Sequence, residues 1–284
     1  MVKAFRPKNL DNALDIRGSE KTVPFAGGTD LMVKHRRCLC NPPDLPEKPL
    51  FLGHLDELRR IEIQGEFLSI GASCTLTEIL KNNLTPEPLK MAISNMASVG
   101  IRNIATIGGN ICNSSPAGDT LPVLYALGAE MIIRSRDKSR RVAISKFIDG
   151  PCHNTLEFDE LLTGVLLPLE DFTIISYKKV GTRRATALAK ISFLGLASFS
   201  GDIIEDIRIS FGAVAPTVVR SPELEKRMIG FDSAQLESII EEIAENYSGM
   251  ITPITDQRSS AGYRKTISIR LLKEFLNNTM YSRT

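Results

Sequence analysis

One stretch of the sequence, residues 101–129, restricts the possible folds and ligands of the chain more than any other. It contains the glycine pair Gly108-Gly109, a polar run and then an apolar segment. Paired glycines let the backbone adopt positive φ angles and approach a ligand without a Cβ atom in the way. In such a turn, successive N–H groups can form a concave site for an anion. The glycine pair therefore favours a loop that binds a charged ligand.

The polar run after the glycines carries side chains suited to a nucleotide. Asn110 and Ser115 offer short hydrogen-bonding groups, and Asp119 offers a carboxylate that accepts from hydroxyls. A loop with phosphate donors and a hydroxyl acceptor suits a nucleotide. A plain alternative explains the glycines alone: a tight turn that precedes a helix starting near Thr120.

A second loop of similar composition lies near the N-terminus. Its sequence is FAGGTDLM, residues 25–32, in which Gly27 and Gly28 precede a hydroxyl and an acid. Thr29 or Asp30 is a suitable N-cap for a short helix, and a helix start presents unpaired N–H groups to an anion. Two such loops in one chain predict two walls around one diphosphate.

Two motifs carry a resemblance to a known family: AGGTDL at residues 26–31 and IRNIATIGGNICNSSPAGD at residues 101–119. Further matching segments are residues 177–179, 211–221 and 259–276. Together they closely resemble the FAD-binding (medium) subunit of the molybdenum hydroxylases. That family includes the flavin subunits or domains of xanthine dehydrogenase, carbon monoxide dehydrogenase and nicotinate dehydrogenase. The likeness extends over nearly the whole chain.

The resemblance implies an α+β fold. It implies a vanillyl-alcohol-oxidase-type (PCMH-type) FAD-binding domain over residues 1–170, built of two α/β lobes at about 1–55 and 56–170. A C-terminal α+β domain of the CO-dehydrogenase-flavoprotein type, residues 171–284, would follow with an antiparallel three-stranded sheet and helices. Strands followed by helices in the C-terminal third independently favour that arrangement. Neither glycine loop is the GxGxxG fingerprint, so a Rossmann fold is not supported.

Local patterns predict the main elements. Period-2 alternation on either side of Gly65 predicts a β-hairpin over residues 60–72, and an apolar run predicts a strand at residues 161–168. Other predicted helices cover residues 7–16, 31–36, 75–82, 86–98, 119–128, 222–229, 233–246 and 263–277, and other predicted strands cover residues 22–26, 50–52, 131–133, 141–144, 173–180, 189–200 and 203–213.

The resemblance also implies a set of cofactor-binding residues. The first loop contributes Ala26, Gly27, Gly28, Thr29, Asp30 and Leu31, and the second contributes Thr106, Ile107, Gly108, Gly109, Asn110, Ser115 and Asp119. The family pattern adds Leu162 close to the flavin and Lys179 in contact with it. Loop N–H groups and hydroxyls would hold the diphosphate, and Asp119 would accept from ribityl or ribose hydroxyls. A cation at Lys179, beside the pyrimidine edge, would stabilise the anionic reduced flavin.

Some of these assignments have plain alternatives. Leu162 is explained equally well as an ordinary core residue of a strand. Arg183 and Arg184 either contact the flavin or belong to a solvated basic turn. The sequence also departs from the family at residues 98–100, where relatives carry a slightly longer segment before IRN, so specific adenine contacts are not predicted.

The function implied by the resemblance is that of an electron-transferring oxidoreductase subunit. FAD in this chain would receive electrons from [2Fe–2S] clusters on a small partner subunit and pass them to NAD⁺ or another acceptor. The organic substrate would react at molybdopterin on a large partner subunit, so no catalytic residue is predicted in this chain. Two alternatives stay open: a stand-alone flavin oxidase or reductase on the same fold, and a scaffold paralogue without redox-active flavin.

Composition limits the other classes of function. The formal net charge of +2 gives no reason to expect nucleic acid as a partner, and no apolar run reaches the length of a membrane-spanning helix. The five cysteines are scattered, and neither they nor the three histidines have the spacing of a metal site. The N-terminus lacks the features of a signal peptide, so the chain is expected to be cytoplasmic, with reduced cysteines and no metal of its own.

Overall fold

The computed structural model describes residues 4–36 and 44–281. Its contacts divide the chain into two compact units, each assembled from separate segments. Unit 1 comprises Met1–Thr85, Ala97–Ser114 and Gly128–Leu169, and unit 2 comprises Pro86–Met96, Ser115–Leu127 and Glu170–Thr284. Two segments of the predicted first domain thus belong to unit 2, and the predicted domain limits stay a prediction. Within the described residues, no helix has both the length and the apolar character needed to cross a membrane.

The described helices and strands agree in type and order with most of the predicted pattern. The α-helices are α1 (Leu10–Ser19), α2 (Leu31–Lys34), α3 (Leu76–Lys81), α4 (Glu87–Ser94), α5 (Val99–Arg102), α6 (Ile107–Asn113), α7 (Leu121–Ala126), α8 (Ile144–Phe147), α9 (Pro222–Lys226), α10 (Ser233–Met250) and α11 (Ala261–Tyr281). The strands are β1 (Thr22–Phe25), β2 (Lys48–Phe51), β3 (Ile61–Gln64), β4 (Phe67–Gly71), β5 (Glu130–Arg134), β6 (Ser139–Ala143), β7 (Leu161–Pro168), β8 (Ile174–Val180), β9 (Ile191–Ser200), β10 (Ile203–Gly212) and β11 (Val219–Arg220).

Unit 1 begins with a small α/β lobe. Strands β1 and β2 pair in parallel, and helix α1 is capped by the Asn9 side chain, which accepts from the Asn12 N–H. The predicted apolar face of this helix is buried, because Leu10, Ala13 and Leu14 pack in one core cluster with residues of β2 and β7. This lobe fixes the strand end from which the first glycine loop departs.

The second part of unit 1 is a five-stranded antiparallel sheet of order β3-β4-β7-β5-β6. The hairpin between β3 and β4 turns at Gly65, whose φ is +62°. Strand β7 is central and almost wholly buried, as its continuous apolar sequence predicts. Helix α6 packs against this strand, so the second glycine pair is supported by the sheet.

Unit 2 contains an antiparallel sheet of order β11-β10-β9-β8. The three long strands were predicted, and the sequence prediction of a three-stranded sheet missed the two-residue strand β11. Helix α11 approaches β9 closely because Gly195 has no Cβ, which would lie 2.6 Å from the Phe275 ring. The buried Arg264 donates to the carbonyls of Lys190 and Ala213 and so anchors α11 to the sheet. The α+β fold class is confirmed.

Candidate cofactor-binding site

The first glycine loop connects β1 to α2 in unit 1. Gly28 adopts a φ of +67°, in the left-handed region that glycine adopts without strain. Within the described part of the chain, the N–H groups of Gly27, Gly28 and Thr29 have no hydrogen-bond acceptor. All three residues are half-buried. Three consecutive donors without an acceptor in the protein can donate to an anionic or carbonyl ligand.

The end of this loop carries two further predicted residues. Asp30 occupies the N-cap position of α2, yet its side chain makes no capping hydrogen bond and is exposed. Leu31 is half-buried as the first residue of the helix. The carboxylate of Asp30 is therefore not committed to the helix start.

The second glycine pair does not form the predicted loop. Gly108 and Gly109 lie in the first turn of α6, and the Thr106 hydroxyl caps the helix by accepting from the Gly109 N–H at 3.1 Å. The N–H groups of Ile107 and Gly108 donate to the carbonyls of Cys74 (3.1 Å) and Ala72 (2.9 Å), and the Asn110 N–H donates to Thr106 (3.0 Å). The segment forms a helix and not a loop because the Thr106 hydroxyl and neighbouring backbone carbonyls accept hydrogen bonds from these N–H groups. The N–H groups of residues 107–110 are thus engaged within the protein.

Within unit 1, the two predicted loops come into contact. A Cβ on Gly27 would lie 2.1 Å from the carbonyl oxygen of Ile104 and 3.1 Å from the Cα of Ala105. Residue 105 directly precedes the capping Thr106. Glycine at position 27 is therefore what lets the first loop lie against the segment that leads into α6.

Unit 1 also contains the predicted residue Leu162 and a cavity beside the first loop. Leu162 lies in β7, paired with Ile133 of β5, and its side chain is buried. A cavity of about 400 Å³ lies beside the first loop, with Ala26, Phe51, His54 and other residues in its lining. The cavity leaves space on the β2 side of Ala26.

Unit 2 holds the remaining predicted residues. The Lys179 ammonium donates to Asp119 Oδ2 at 2.7 Å and to the main-chain carbonyl of Asn95 at 2.9 Å. Both charged side chains are about nine-tenths buried, with 9% and 8% of their surface exposed. The Tyr177 hydroxyl donates to the main-chain carbonyl of Asp119 at 3.4 Å. Ser115 Oγ accepts from the Ala117 N–H within its own turn.

The carboxylate of Asp119 is only half satisfied. Its Oδ1 atom is buried and has no hydrogen-bond partner among the described residues. Burial raises the pKa of Asp119, and the Lys179 ammonium opposes that rise. The arrangement can therefore accept one more hydrogen bond from a ligand. Asn95 was not predicted as a partner of Lys179, and Tyr177 was noted only as part of a family motif, because both lie far from Asp119 along the chain.

The other candidate groups are a basic turn, the cysteines and possible metal ligands. Arg183 is exposed and donates to the carbonyls of Ala185 and Thr186 inside its own turn, in line with the solvated-turn interpretation. Burial raises the pKa of the Cys74 thiol to about 11 and that of Cys112 to about 12, so both stay protonated near neutral pH. Cys38 and Cys40 lie outside the described residues. Within those residues no cluster of His, Cys, Asp and Glu side chains could hold a metal ion.

Two family profiles match nearly the whole chain. One, described as the FAD binding domain in molybdopterin dehydrogenase, matches residues 1–170, and another, described as the CO dehydrogenase flavoprotein C-terminal domain, matches residues 176–279. The chain belongs to the FAD-binding medium subunits of the molybdenum hydroxylases. The family predicted from the glycine motifs is confirmed, and the chain is an FAD-dependent oxidoreductase subunit.

This medium subunit has named relatives of nearly equal length. It is 32% identical over 275 residues to the glyceraldehyde dehydrogenase medium chain of Sulfolobus acidocaldarius, with 95% of each chain covered. It is 27% identical over 283 residues to the xanthine dehydrogenase FAD-binding subunit of Escherichia coli O157:H7, covering 97% of this chain and 94% of that one. A carbon monoxide dehydrogenase structure from Hydrogenophaga pseudoflava superposes with a TM-score of 0.87 at 24% identity, covering 100% and 99% of the two chains. That likeness shows a shared fold.

Two features of the medium subunit fit FAD. The unpaired N–H groups of Gly27, Gly28 and Thr29 suit the oxygens of a diphosphate, which are strong acceptors. The unsatisfied Oδ1 of Asp119 suits a hydroxyl or N–H donor, both of which FAD carries.

Proposed function

We propose that this chain binds one FAD and acts as the electron outlet of a heteromeric molybdenum hydroxylase. Electrons would come from [2Fe–2S] clusters on a small partner subunit, and NAD⁺ or another acceptor would take them up. A large partner subunit would carry molybdopterin and the organic substrate. The relatives' names, a medium chain and an FAD-binding subunit, support this division of work. We also propose that the protein is located in the cytoplasm.

The observation that carries the proposal is the first glycine loop. Its three consecutive unpaired N–H groups would donate to the diphosphate of FAD, and the positive φ of Gly28 holds them in that conformation. When bound, FAD would supply the capacity to accept two electrons and to release them singly or as a hydride. The protein's own part is to bind, orient and partly bury that group.

The remaining predicted residues are proposed as further contacts. Near the second glycine pair, the exposed surface at Gly109 and the side chain of Asn110 would approach the cofactor, since the N–H groups there are engaged. Leu162 would lie near the flavin. In unit 2, Lys179 and Asp119 stay proposed as FAD contacts.

Titration of the purified chain with FAD, followed by absorption and flavin fluorescence, tests the proposal. We expect saturable uptake near one FAD per chain. Gly28→Ala should weaken uptake at least about tenfold, because an L-residue at φ +67° is strained by about 1–2 kcal/mol and its Cβ would lie 2.3 Å from the Phe25 ring. Gly65→Ala is the matched control, since Gly65 has a φ of +62° and open space around it.

The outcomes of this titration distinguish FAD binding by the first loop from the alternative functions. Equal FAD uptake by the wild type and Gly28→Ala would contradict the role of the first loop. If the isolated chain takes up no FAD, the same titration is run on the chain co-expressed with its partner subunits, and no uptake there would reject the FAD proposal. Turnover of an organic substrate by the isolated chain would instead favour a stand-alone flavin enzyme.

A further inference from the structure

The cavity beside the first loop lies at one edge of the small α/β lobe in unit 1. Phe5 pairs in parallel with Leu50 of β2, and β2 pairs in parallel with β1, so three extended segments run in the same direction. The lining of the cavity comes from the ends of these segments and includes Phe5, Arg6, Ala26, Phe51, Gly53 and His54. In open α/β sheets, ligands bind outside the carboxyl ends of parallel strands. The volume of about 400 Å³ lies within the range of small-molecule sites, about 300–1,000 Å³.

Phe51, the last residue of β2, presents an exposed aromatic ring to this cavity. The ring meets that of Phe25 edge-on, with centroids 5.1 Å apart and planes inclined at 65°, a contact that restricts its orientation. The Phe25 ring also touches the first loop, since a Cβ on Gly28 would lie 2.3 Å from it. The cavity and the first loop therefore share a wall. An exposed aromatic ring held in one orientation suits stacking of a heteroaromatic base.

Two polar side chains in the lining have unused hydrogen-bonding atoms. Arg6 is exposed, and its guanidinium forms no ion pair or hydrogen bond with the described residues. Such a group offers a planar fork of N–H donors that matches a phosphate. His54 Nε2 lies 2.8 Å from the carbonyl oxygen of Pro7, so Nε2 is the ring nitrogen that carries the proton. In the neutral ring, Nδ1 is then an acceptor for an amino group or a hydroxyl.

We propose that this cavity binds the adenosine 5′-phosphate half of a dinucleotide. The base stacks on Phe51, the phosphate accepts from Arg6, and His54 Nδ1 accepts from the amino group of the base or from a ribose hydroxyl. An aromatic surface, a cation and an acceptor at one place are the groups that recognise an adenylate. The inference goes beyond FAD binding at the first loop, because these three residues lie outside the predicted cofactor-binding set.

Two dinucleotides of the proposed function carry an adenylate, FAD and NAD⁺. FAD would reach the cavity from the first loop, which shares the Phe25 wall with it. NAD⁺ would occupy the cavity as a second ligand beside FAD. Both sources present the same base and phosphate to Phe51 and Arg6, so the site is tested first with adenylate alone.

The first experiment measures binding of AMP and of adenosine to the full-length chain by equilibrium dialysis without FAD. Phe51→Leu removes the ring and keeps an apolar side chain, and Arg6→Gln removes the charge. The matched controls are Phe158→Leu and Arg141→Gln, because both side chains are exposed in unit 1 and neither lines the cavity. Thermal unfolding checks that each variant is folded, and the exposed position of Arg6 keeps the test open if Phe51→Leu is not.

We expect Phe51→Leu to weaken binding of both AMP and adenosine at least about fivefold. Arg6→Gln should weaken binding of AMP at least about fivefold and change that of adenosine, which lacks the phosphate, by less than about twofold. Both controls should bind AMP within about twofold of the wild type. No binding of AMP by the wild type at millimolar concentration would overturn the proposal, and so would equal binding by the wild type and both cavity variants.

Titrations with FAD and NAD⁺ then distinguish the two sources. If FAD supplies the adenylate, FAD displaces AMP, and Phe51→Leu lowers FAD affinity at least about fivefold. If NAD⁺ supplies it, AMP still binds to the FAD-loaded chain, and Phe51→Leu lowers NAD⁺ affinity while FAD affinity stays within about twofold. Unchanged affinity of Phe51→Leu for both would overturn the assignment to a dinucleotide. Failure to bind FAD with AMP binding intact would reject the proposed function and leave this site.

Discussion

The two glycine pairs of unit 1 have similar sequences and different structures. Gly27 and Gly28 belong to an open loop, with a positive φ at the second glycine and unpaired N–H groups. Gly108 and Gly109 belong to the first turn of α6, where the N–H groups already have acceptors within the chain. The same dipeptide therefore leaves its N–H donors unpaired in one place and lies in the first turn of a helix in the other.

Glycine serves two separate purposes in these pairs. At position 28 it supplies a backbone conformation that other residues adopt only with strain. At positions 27 and 108 it supplies the absence of a side chain, since a Cβ would lie 2.1 Å from the Ile104 oxygen and 2.6 Å from the Ala72 oxygen. The first pair thus combines a positive φ with close packing, and the second pair serves mainly packing.

The largest effect is expected from Gly27→Ala. The added Cβ would overlap backbone atoms of Ile104, which cannot rotate away, so the first loop and the segment before α6 must separate. We expect the free energy of unfolding to fall by about 3 kcal/mol. FAD affinity should fall at least about tenfold, because hydrogen bonds to charged groups contribute about 1.5–3 kcal/mol each. Chemical denaturation and FAD titration at a temperature where the variant is folded measure the two effects.

Gly195→Ala is the control for this variant. Its Cβ would meet the Phe275 ring in unit 2 at 2.6 Å, so it also costs stability. FAD affinity should stay within about twofold of the wild type, a difference of about 0.4 kcal/mol. If both variants lost affinity equally, the loss would follow from general destabilisation and not from the first loop.

The second largest effect is expected from Gly108→Ala, and it should fall on stability. The Cβ would lie 2.6 Å and 2.7 Å from the oxygen and the Cβ of Ala72, so α6 must move away from the residue that follows β4. We expect a loss of about 2 kcal/mol in the free energy of unfolding, with a smaller loss of FAD affinity than for Gly27→Ala. A large loss of affinity at unchanged stability would show that the second pair touches the ligand directly, which would break the comparison.

The sequence predicted those features of the fold that depend on local signals. The hairpin at Gly65 and the strand β7 follow from alternation, a turn residue and an apolar run within a few positions. The positive φ that the sequence suggested for the Gly108-Gly109 pair occurs instead at Gly28 of the first pair. The hairpin and the strand depend on residues that are neighbours in the sequence, so the sequence alone can predict them.

The remaining features depend on partners that are distant in the sequence. The helical conformation at Gly108 depends on an acceptor at Ala72, and no sequence pattern links these two positions. The Lys179–Asp119 pair joins residues that are 60 positions apart. The resemblance to a family pointed to both residues as flavin contacts, but it could not show that they bind each other.

A smaller effect is expected at the helix cap of the second pair. Thr106→Ala removes the hydroxyl that accepts from the Gly109 N–H, and loss of such a cap costs about 1 kcal/mol. Thr106→Ser keeps the hydroxyl and should recover most of that stability in thermal or chemical unfolding. FAD affinity should change little in either variant. A tenfold loss of affinity in Thr106→Ala that serine restores would mean that the hydroxyl serves the ligand as well as the helix.

The smallest effect is expected at the start of α2, beside the first pair. Asp30 is exposed and makes no capping bond, so Asp30→Asn should change the free energy of unfolding by less than about 0.5 kcal/mol. The same variant shows whether the carboxylate is used for the ligand, because the helix does not use it. FAD affinity within about threefold of the wild type, a difference of about 0.7 kcal/mol, would leave ligand binding to the loop N–H groups. A larger loss, with stability unchanged, would make Asp30 a hydroxyl acceptor for the cofactor and extend the first site beyond its glycines.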